Sequence, residues 1–215
     1  MSRPPPPGPV LIDLRVEPQR ALEEATAALR AGRVVLLPTD TVYGLAALTP
    51  AAEEDLFALK GRPADRSIAV LVADRPAAES LAASVPEPLA ELMDRHWPGP
   101  LTVVLPRPQT SVPQVGGNRE TIGVRCPNHP WLRSLLAEVG PLATTSANRH
   151  AQQTPTHATE VLAALTPDHE SAVGIAVAID GGPCTGQAST VVTWQDGELK
   201  ILRSGPLRLE PSNSA

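Results

Sequence analysis

Short apolar runs alternate with helix-patterned segments along almost the whole of this 215-residue chain, and that alternation restricts the fold more than any other feature. Pro18 to Arg30 reads as a helix: Pro18 suits a first turn, Leu22, Ala25 and Leu29 share a face, and Gly32 ends it. Val34–Leu37 is a continuous apolar run of strand type. Thr49 can cap a helix opened by Pro50 and carrying Leu56 and Leu59, which Gly61 and Pro63 stop. Further strands are expected at Ser67–Val72, Leu101–Leu105, Thr121–Arg125, Leu142–Thr145 and Val173–Ile179. Helices are expected after Asp74, over Pro88–His96, over 131–139 and from a Thr156 cap to Leu165. Ser189–Trp194 and Glu198–Leu202 flank Asp196–Gly197, a hairpin signal. Strands alternating with helices predict an α/β fold, and the terminal hairpin makes its sheet mixed.

The ends stand apart from this pattern. Residues 1–10 form a proline-rich arm expected to be disordered, 11–209 one domain, and 210–215 a disordered tail. The 25 prolines otherwise mark element ends, and the loop 106–120 is long enough to suggest a functional or moving segment. A chain of this length buries about 70% of its unfolded surface. Aromatics are only 2% of it, so the core must be Leu, Val, Ile and Ala.

Composition excludes several function classes. Net charge is −5, with 18 Lys and Arg against 23 Asp and Glu, so an anionic ligand needs a local cluster of cations rather than the field of the whole molecule. Two cysteines, Cys126 and Cys184, are too few for a disulfide scaffold or a four-cysteine zinc site. The five histidines form no HExxH, so no protein-built metal site is expected. With no apolar run of about 18 residues and no signal-peptide core, the expectation is a soluble, cytoplasmic protein that does not enter a membrane.

Four segments concentrate chemistry. Pro38-Thr39-Asp40-Thr41-Val42-Tyr43-Gly44-Leu45 follows the buried run 34–37, where ligands gather in α/β sheets, although a polar strand-to-helix turn would look the same. Lys60, Arg62 and Arg66 could hold a polyphosphate together, or could simply complement a helix C-terminus. Thr144-Thr145-Ser146-Ala147-Asn148 ends a strand with hydroxyl and amide groups. It serves a nucleotide or an ST turn, and without G-x-S-x-G it is no hydrolase elbow. The fourth group is Asp180-Gly181-Gly182, Ser189-Thr190 and Arg203-Ser204-Gly205-Pro206, whose Ser and Arg meet only if the last two strands pair.

The order of PTDTVYGL, KGRP, WPGPLTVVL, TIGVRCPNHP, PLATTSAN, the GG turn, STVV and ILRSGP closely resembles the YrdC-type threonylcarbamoyl-adenylate synthase family, in its short, single-domain TsaC-like form. The resemblance runs from about Arg33 to Pro206. It implies a YrdC-like twisted mixed parallel/antiparallel sheet with flanking helices and a deep, positively lined cleft. It also implies a nucleotidyltransferase that makes threonylcarbamoyl-AMP and pyrophosphate from L-threonine, bicarbonate or CO2, and ATP. The product would pass to a threonylcarbamoyl transferase acting on tRNA.

The same resemblance assigns roles. Lys60 and Arg62 would be catalytic, and would bind ATP with Arg66, Thr121, Ser146, Asn148, Thr154 and Arg203. Thr41, Arg125, Thr144 and Ser189 would bind threonine, and Mg²⁺ would arrive with ATP. The chain departs from the family at Arg149-His150-Ala151, where Ser-Gly is common after SAN, and at Ser67-Ile68, where Pro-Leu is common. It is expected to lack the additional C-terminal domain of longer members. Two competing readings are weighed. A carbamoyl transfer for hydrogenase maturation is disfavoured by the lack of any CxxC. A double-stranded RNA or tRNA-binding accessory protein is disfavoured by charge and aromatic content, with a weak RNA contact kept as an auxiliary expectation.

Overall fold

The run Val34–Leu37 shows how the molecule is built: all four side chains are buried, with Val34 and Leu36 in one apolar cluster and Val35 and Leu37 in another. Only a strand with period two and a covered surface on each side does this. The structure, a computed structural model, describes residues 8–60, 68–108, 120–149, 152–165 and 174–209.

Ten strands and six helices are defined there. They are β1 (Val10–Asp13), α1 (Pro18–Arg30), β2 (Val34–Leu37), β3 (Gly44–Ala47), α2 (Pro50–Lys60), β4 (Ala69–Leu71), α3 (Arg75–Glu79) and α4 (Glu87–His96). Then follow β5 (Leu101–Pro106), β6 (Thr121–Arg125), α5 (Pro130–Val139), β7 (Leu142–Ser146), α6 (Ala158–Leu165), β8 (Ile175–Asp180), β9 (Thr190–Gln195) and β10 (Glu198–Arg203). The strands form one sheet in the order β1-β8-β2-β3-β7-β4-β6-β5-β9-β10. Parallel pairs (β1/β8, β2/β8, β4/β6, β5/β9) are mixed with antiparallel ones. The mixed α/β class is therefore as expected.

On one face, Ile12, Leu37, Leu71 and Ile179 pack with Ala21, Ala25 and Leu29 of α1 and Leu132, Leu135 and Leu136 of α5. On the other, Leu36, Leu45, Val70 and Val124 pack with residues of α2, α4 and α6. Asp74 caps α3, accepting from the Ala77 amide at 2.9 Å. The last hairpin turns through Asp196 and Gly197, both at positive φ (56° and 79°), the type I′ geometry that matches strand twist. Trp97, beside the cis Trp97–Pro98 bond, packs against the core and donates to the Leu101 carbonyl at 2.7 Å.

Two strands differ from expectation. β1 begins at Val10, the last residue of the expected disordered arm, and pairs in parallel with β8. The segment 38–43 does not lead from strand to helix: it reverses the chain into β3, which pairs antiparallel with β2. The remainder of the arm up to residue 7, the tail 210–215, and positions 109–119 of the long loop lie outside the described residues. Among the described residues, no helix is long and apolar enough to cross a membrane.

Candidate functional site

A cleft opens where strand ends converge, with about 690 Å³ of empty space counting the part continuous with solvent. Its lining comes from the 39–44 turn, Ile68 and β4, the start of β5, the ends of β6 and β7, and residues 188, 189 and 203. The 39–43 turn is held by its own hydroxyls. Thr39 Oγ1 donates to the Val42 carbonyl at 2.7 Å and accepts from the Thr41 amide at 3.0 Å. Because that hydrogen is spent on Val42, the 2.9 Å contact between the two threonine hydroxyls is donated by Thr41. Tyr43 is fully buried, and its phenol donates to the Gly182 carbonyl at 2.6 Å, tying this turn to the end of β8. Burial pushes that phenol well above its ordinary pKa, so it stays a donor.

Arg125, the last residue of β6, is only 6% exposed. A buried guanidinium is tolerated only when paired and hydrogen-bonded. Nε donates to the Gly99 carbonyl at 3.0 Å, Nη1 to Thr41 Oγ1 at 2.8 Å, and Nη2 to Asp40 Oδ1 at 2.6 Å. Burial lowers the Arg125 pKa and the Asp40 carboxylate opposes that; an arginine so placed remains charged. Two of its five N–H groups are left over after these three bonds.

Lys60 ends α2 and crosses to the end of β7. Its ammonium donates to the Ser146 carbonyl at 2.5 Å, to Ser146 Oγ at 3.2 Å and to Asn148 Oδ1 at 3.2 Å. Ser146 Oγ donates to Asn148 Oδ1 at 2.5 Å, and Thr154 Oγ1 reaches the same oxygen at 3.2 Å. Asn148 Nδ2 donates to the Arg149 and Gln152 carbonyls at 2.8 and 2.7 Å, which fixes its flip.

A third group closes the cleft from the C-terminal hairpin. Arg203 donates from Nε to the Ser189 carbonyl and from Nη2 to Ser189 Oγ, both at 3.0 Å. Ser189 Oγ lies 2.7 Å from Thr102 Oγ1 on β5. The irregular segment preceding this contact lies hard against the threonine turn, since a Cβ on Gly186 would stand 2.6 Å from the Thr41 carbonyl oxygen.

The sequence-derived residues thus fall into three clusters: Lys60 with Ser146, Asn148 and Thr154; Thr41 with Arg125; and Ser189 with Arg203. Thr144 lines the cleft floor, its hydroxyl turned to the Leu142 carbonyl at 3.1 Å. Thr121 starts β6, four residues and about 13 Å of strand from Arg125, and is not among the lining residues. Arg62 and Arg66 lie outside the described residues, so the cations among the described lining residues are Arg125 and Arg203.

Asp40 as counter-charge, and Thr102 as cleft lining, were not singled out from sequence. Thr102 had one signal, a polar residue inside the apolar run LTVVL. Cys126 and Cys184 are buried, with thiols pushed up by desolvation, as suits inert packing. His129 caps α5, its Nδ1 accepting from the Leu132 amide at 3.3 Å. Among the described residues no three His, Cys, Asp or Glu side chains converge as a metal site would.

A mixed sheet that gathers a buried guanidinium and several hydroxyls past its strand ends has the form of a ligand-binding α/β fold. Comparison with known proteins places it more narrowly. The family model for Sua5, YciO and YrdC, described as telomere recombination, matches residues 27–205, and the chain belongs to that family. The threonylcarbamoyl-AMP synthase of Bacillus subtilis is 39% identical over 199 residues, covering 90% of this chain and 55% of that protein. A Mycobacterium tuberculosis relative is 36% identical over 194 residues, covering 89% of this chain and 87% of its own length. The crystal structure of Pyrococcus abyssi Sua5 complexed with L-threonine superposes with a TM-score of 0.80 at 34% identity, covering 92% of this chain and 57% of that one. The chain therefore spans little more than half the length of some relatives and nearly all of others.

Proposed function

We propose that this chain is a threonylcarbamoyl-AMP synthase, a nucleotidyltransferase that condenses L-threonine, bicarbonate and ATP into threonylcarbamoyl-AMP, pyrophosphate and water. The observation that carries this reading is Arg125: a buried cation, fixed by Asp40, Thr41 and Gly99, with N–H groups to spare at the edge of the cleft. Such a group suits a carboxylate, which it can meet without reorganising. The L-threonine complex of the P. abyssi relative supports an amino acid as the ligand.

The reaction asks for alignment and charge neutralisation. The carbamate oxygen of N-carboxythreonine attacks the α-phosphorus, the bond from that phosphorus to the bridging oxygen breaks, and pyrophosphate leaves with the electron pair. Arg125 and Thr41 would orient the amino acid, with Thr144 and Ser189 beside them. Lys60 would meet the phosphates, preset by Ser146 and Asn148. Arg62 and Arg66 join it on the strength of the sequence motif, as Thr121 and Thr154 do for the nucleotide. Arg203 would lie toward the nucleotide. Mg²⁺ belongs to the substrate MgATP and would be held by phosphate oxygens and water, since Asp40 is committed to Arg125. A transferase acting on tRNA would consume the product.

Pyrophosphate release by the purified chain tests this reading. Release from ATP that needs both L-threonine and bicarbonate is the expected result. Release with neither, or none from folded protein, overturns it.

A further inference from the structure

Thr102 has no role in the scheme above, yet it is a buried hydroxyl in the wall of the cleft. The antiparallel register of β5 and β6 sets Val104 opposite Gly123 and Val103 opposite Val124. Its next step sets Thr102 opposite Arg125. Directly opposed residues point to the same face of a sheet with Cβ atoms about 5 Å apart. The Thr102 and Arg125 side chains therefore leave the sheet as neighbours on one face, and both line the cleft.

Hydrogen-bond direction decides what Thr102 offers there. Ser189 Oγ accepts from the Arg203 guanidinium at 3.0 Å and shares one hydrogen with Thr102 across 2.7 Å. An oxygen that accepts from a cation becomes a stronger donor, so the favoured sense runs Arg203 to Ser189 to Thr102. Thr102 Oγ1 then accepts from Ser189 and keeps its own hydrogen, for which the described residues supply no further acceptor. The hydrogen is left to the cleft, polarised by the chain behind it.

We propose that Thr102 is a further amino-acid-binding residue, donating its hydroxyl hydrogen to the same substrate carboxylate that Arg125 receives. This rests on the amino-acid reading of Arg125 given above. Arg125 supplies charge from one strand, Thr102 a neutral donor from the next, and Arg203 acts on the carboxylate at a distance through two hydroxyls.

The test compares Thr102→Val, which keeps the side-chain shape, with Thr102→Ser, which keeps the hydroxyl. L-threonine binding is measured by calorimetry and the KM values by pyrophosphate release. Loss of a hydrogen bond to a charged group predicts roughly ten- to hundredfold weaker L-threonine binding in Thr102→Val. The KM for ATP stays within twofold, and Thr102→Ser recovers most of the loss. L-threoninol, which has no carboxylate, should compete equally well against both variants and the parent.

A folded Thr102→Val that binds L-threonine as the parent does overturns the proposal. So does a variant in which the KM values for ATP and threonine rise together without rescue by serine, because that marks a merely structural role. In both cases the parent still binds and turns over, and the wider reading stands. A parent that neither binds L-threonine nor releases pyrophosphate overturns both.

Discussion

Two buried cations, Arg125 in the cleft wall and Lys60 behind the lining residue Ser146, are secured in different ways. Arg125 is locked to a carboxylate at 2.6 Å and to two further oxygens, each reached by a different nitrogen of a rigid fork. Lys60, 4% exposed, rests its ammonium on a carbonyl, a hydroxyl and an amide oxygen at the end of β7. A guanidinium held at three corners has one orientation, which suits planar recognition of a carboxylate. An ammonium is a point charge on a flexible stem, which suits a phosphate that moves during reaction. Under the proposed function, that difference would give the amino acid to Arg125 and the phosphates to Lys60.

Removing the counter-charge strains that comparison hardest. Asp40→Ala leaves a buried guanidinium without its carboxylate, a change that costs about 3–5 kcal/mol of stability, read as a fall in the urea midpoint. A loss within about 0.5 kcal/mol, the scatter of ordinary surface changes, would mean that Arg125 is held by its neutral partners alone. Lys60→Ala is expected to cut turnover by roughly a hundredfold or more, the loss of one or two charge-assisted bonds to phosphate. Steady-state rates at saturating L-threonine check this, and near-normal turnover would remove Lys60 from the chemistry.

The smallest effect is in pH dependence. His129 caps α5 just beyond the end of β6, and burial holds its pKa below the ordinary value while Asp40 pulls the other way. The folded state therefore takes up the proton less readily than the unfolded chain. Its contribution is complete above about pH 6.5 and is lost as pH falls from there toward the folded value. His96, also lowered by burial, adds in the same direction. Melting temperature should fall between pH 7 and 5. His129→Asn, which can cap without titrating, should flatten part of that slope. An unchanged slope would show that the cap does not depend on the neutral ring.

Much of the fold was legible because its elements are punctuated. Pro18 and Gly32 bracket α1, Asp74 caps α3, and Asp196–Gly197 turns the last hairpin. β1 and β3 were not legible for physical reasons. Val10–Asp13 is a half-exposed edge strand against a proline-rich stretch, and Gly44–Ala47 is glycine, leucine and alanine, with no β-branched residue to mark it. Missing β3 turned a strand-to-strand reversal into an expected strand-to-helix turn.

At the site, motifs pointed to Lys60, Ser146 and Asn148 separately. Their joining across 86 and 88 residues comes from α2 crossing to β7, which no local pattern encodes. Ser189 and Arg203 were expected to meet if the last strands paired, and they do, despite a register shift between Ile201 and Arg203. Thr102 was hidden because its neighbour Arg125 lies on another strand, and its meaning depends on register.

Arg125→Lys tests the division of the cleft most directly, because lysine keeps the charge but cannot reach Asp40, Thr41 and Gly99 together. With both KM values measured on the folded variant, the KM for L-threonine should rise at least tenfold while that for ATP stays within twofold. A rise confined to ATP, with the threonine KM unchanged, would contradict the assignment and reverse the two ends of the cleft.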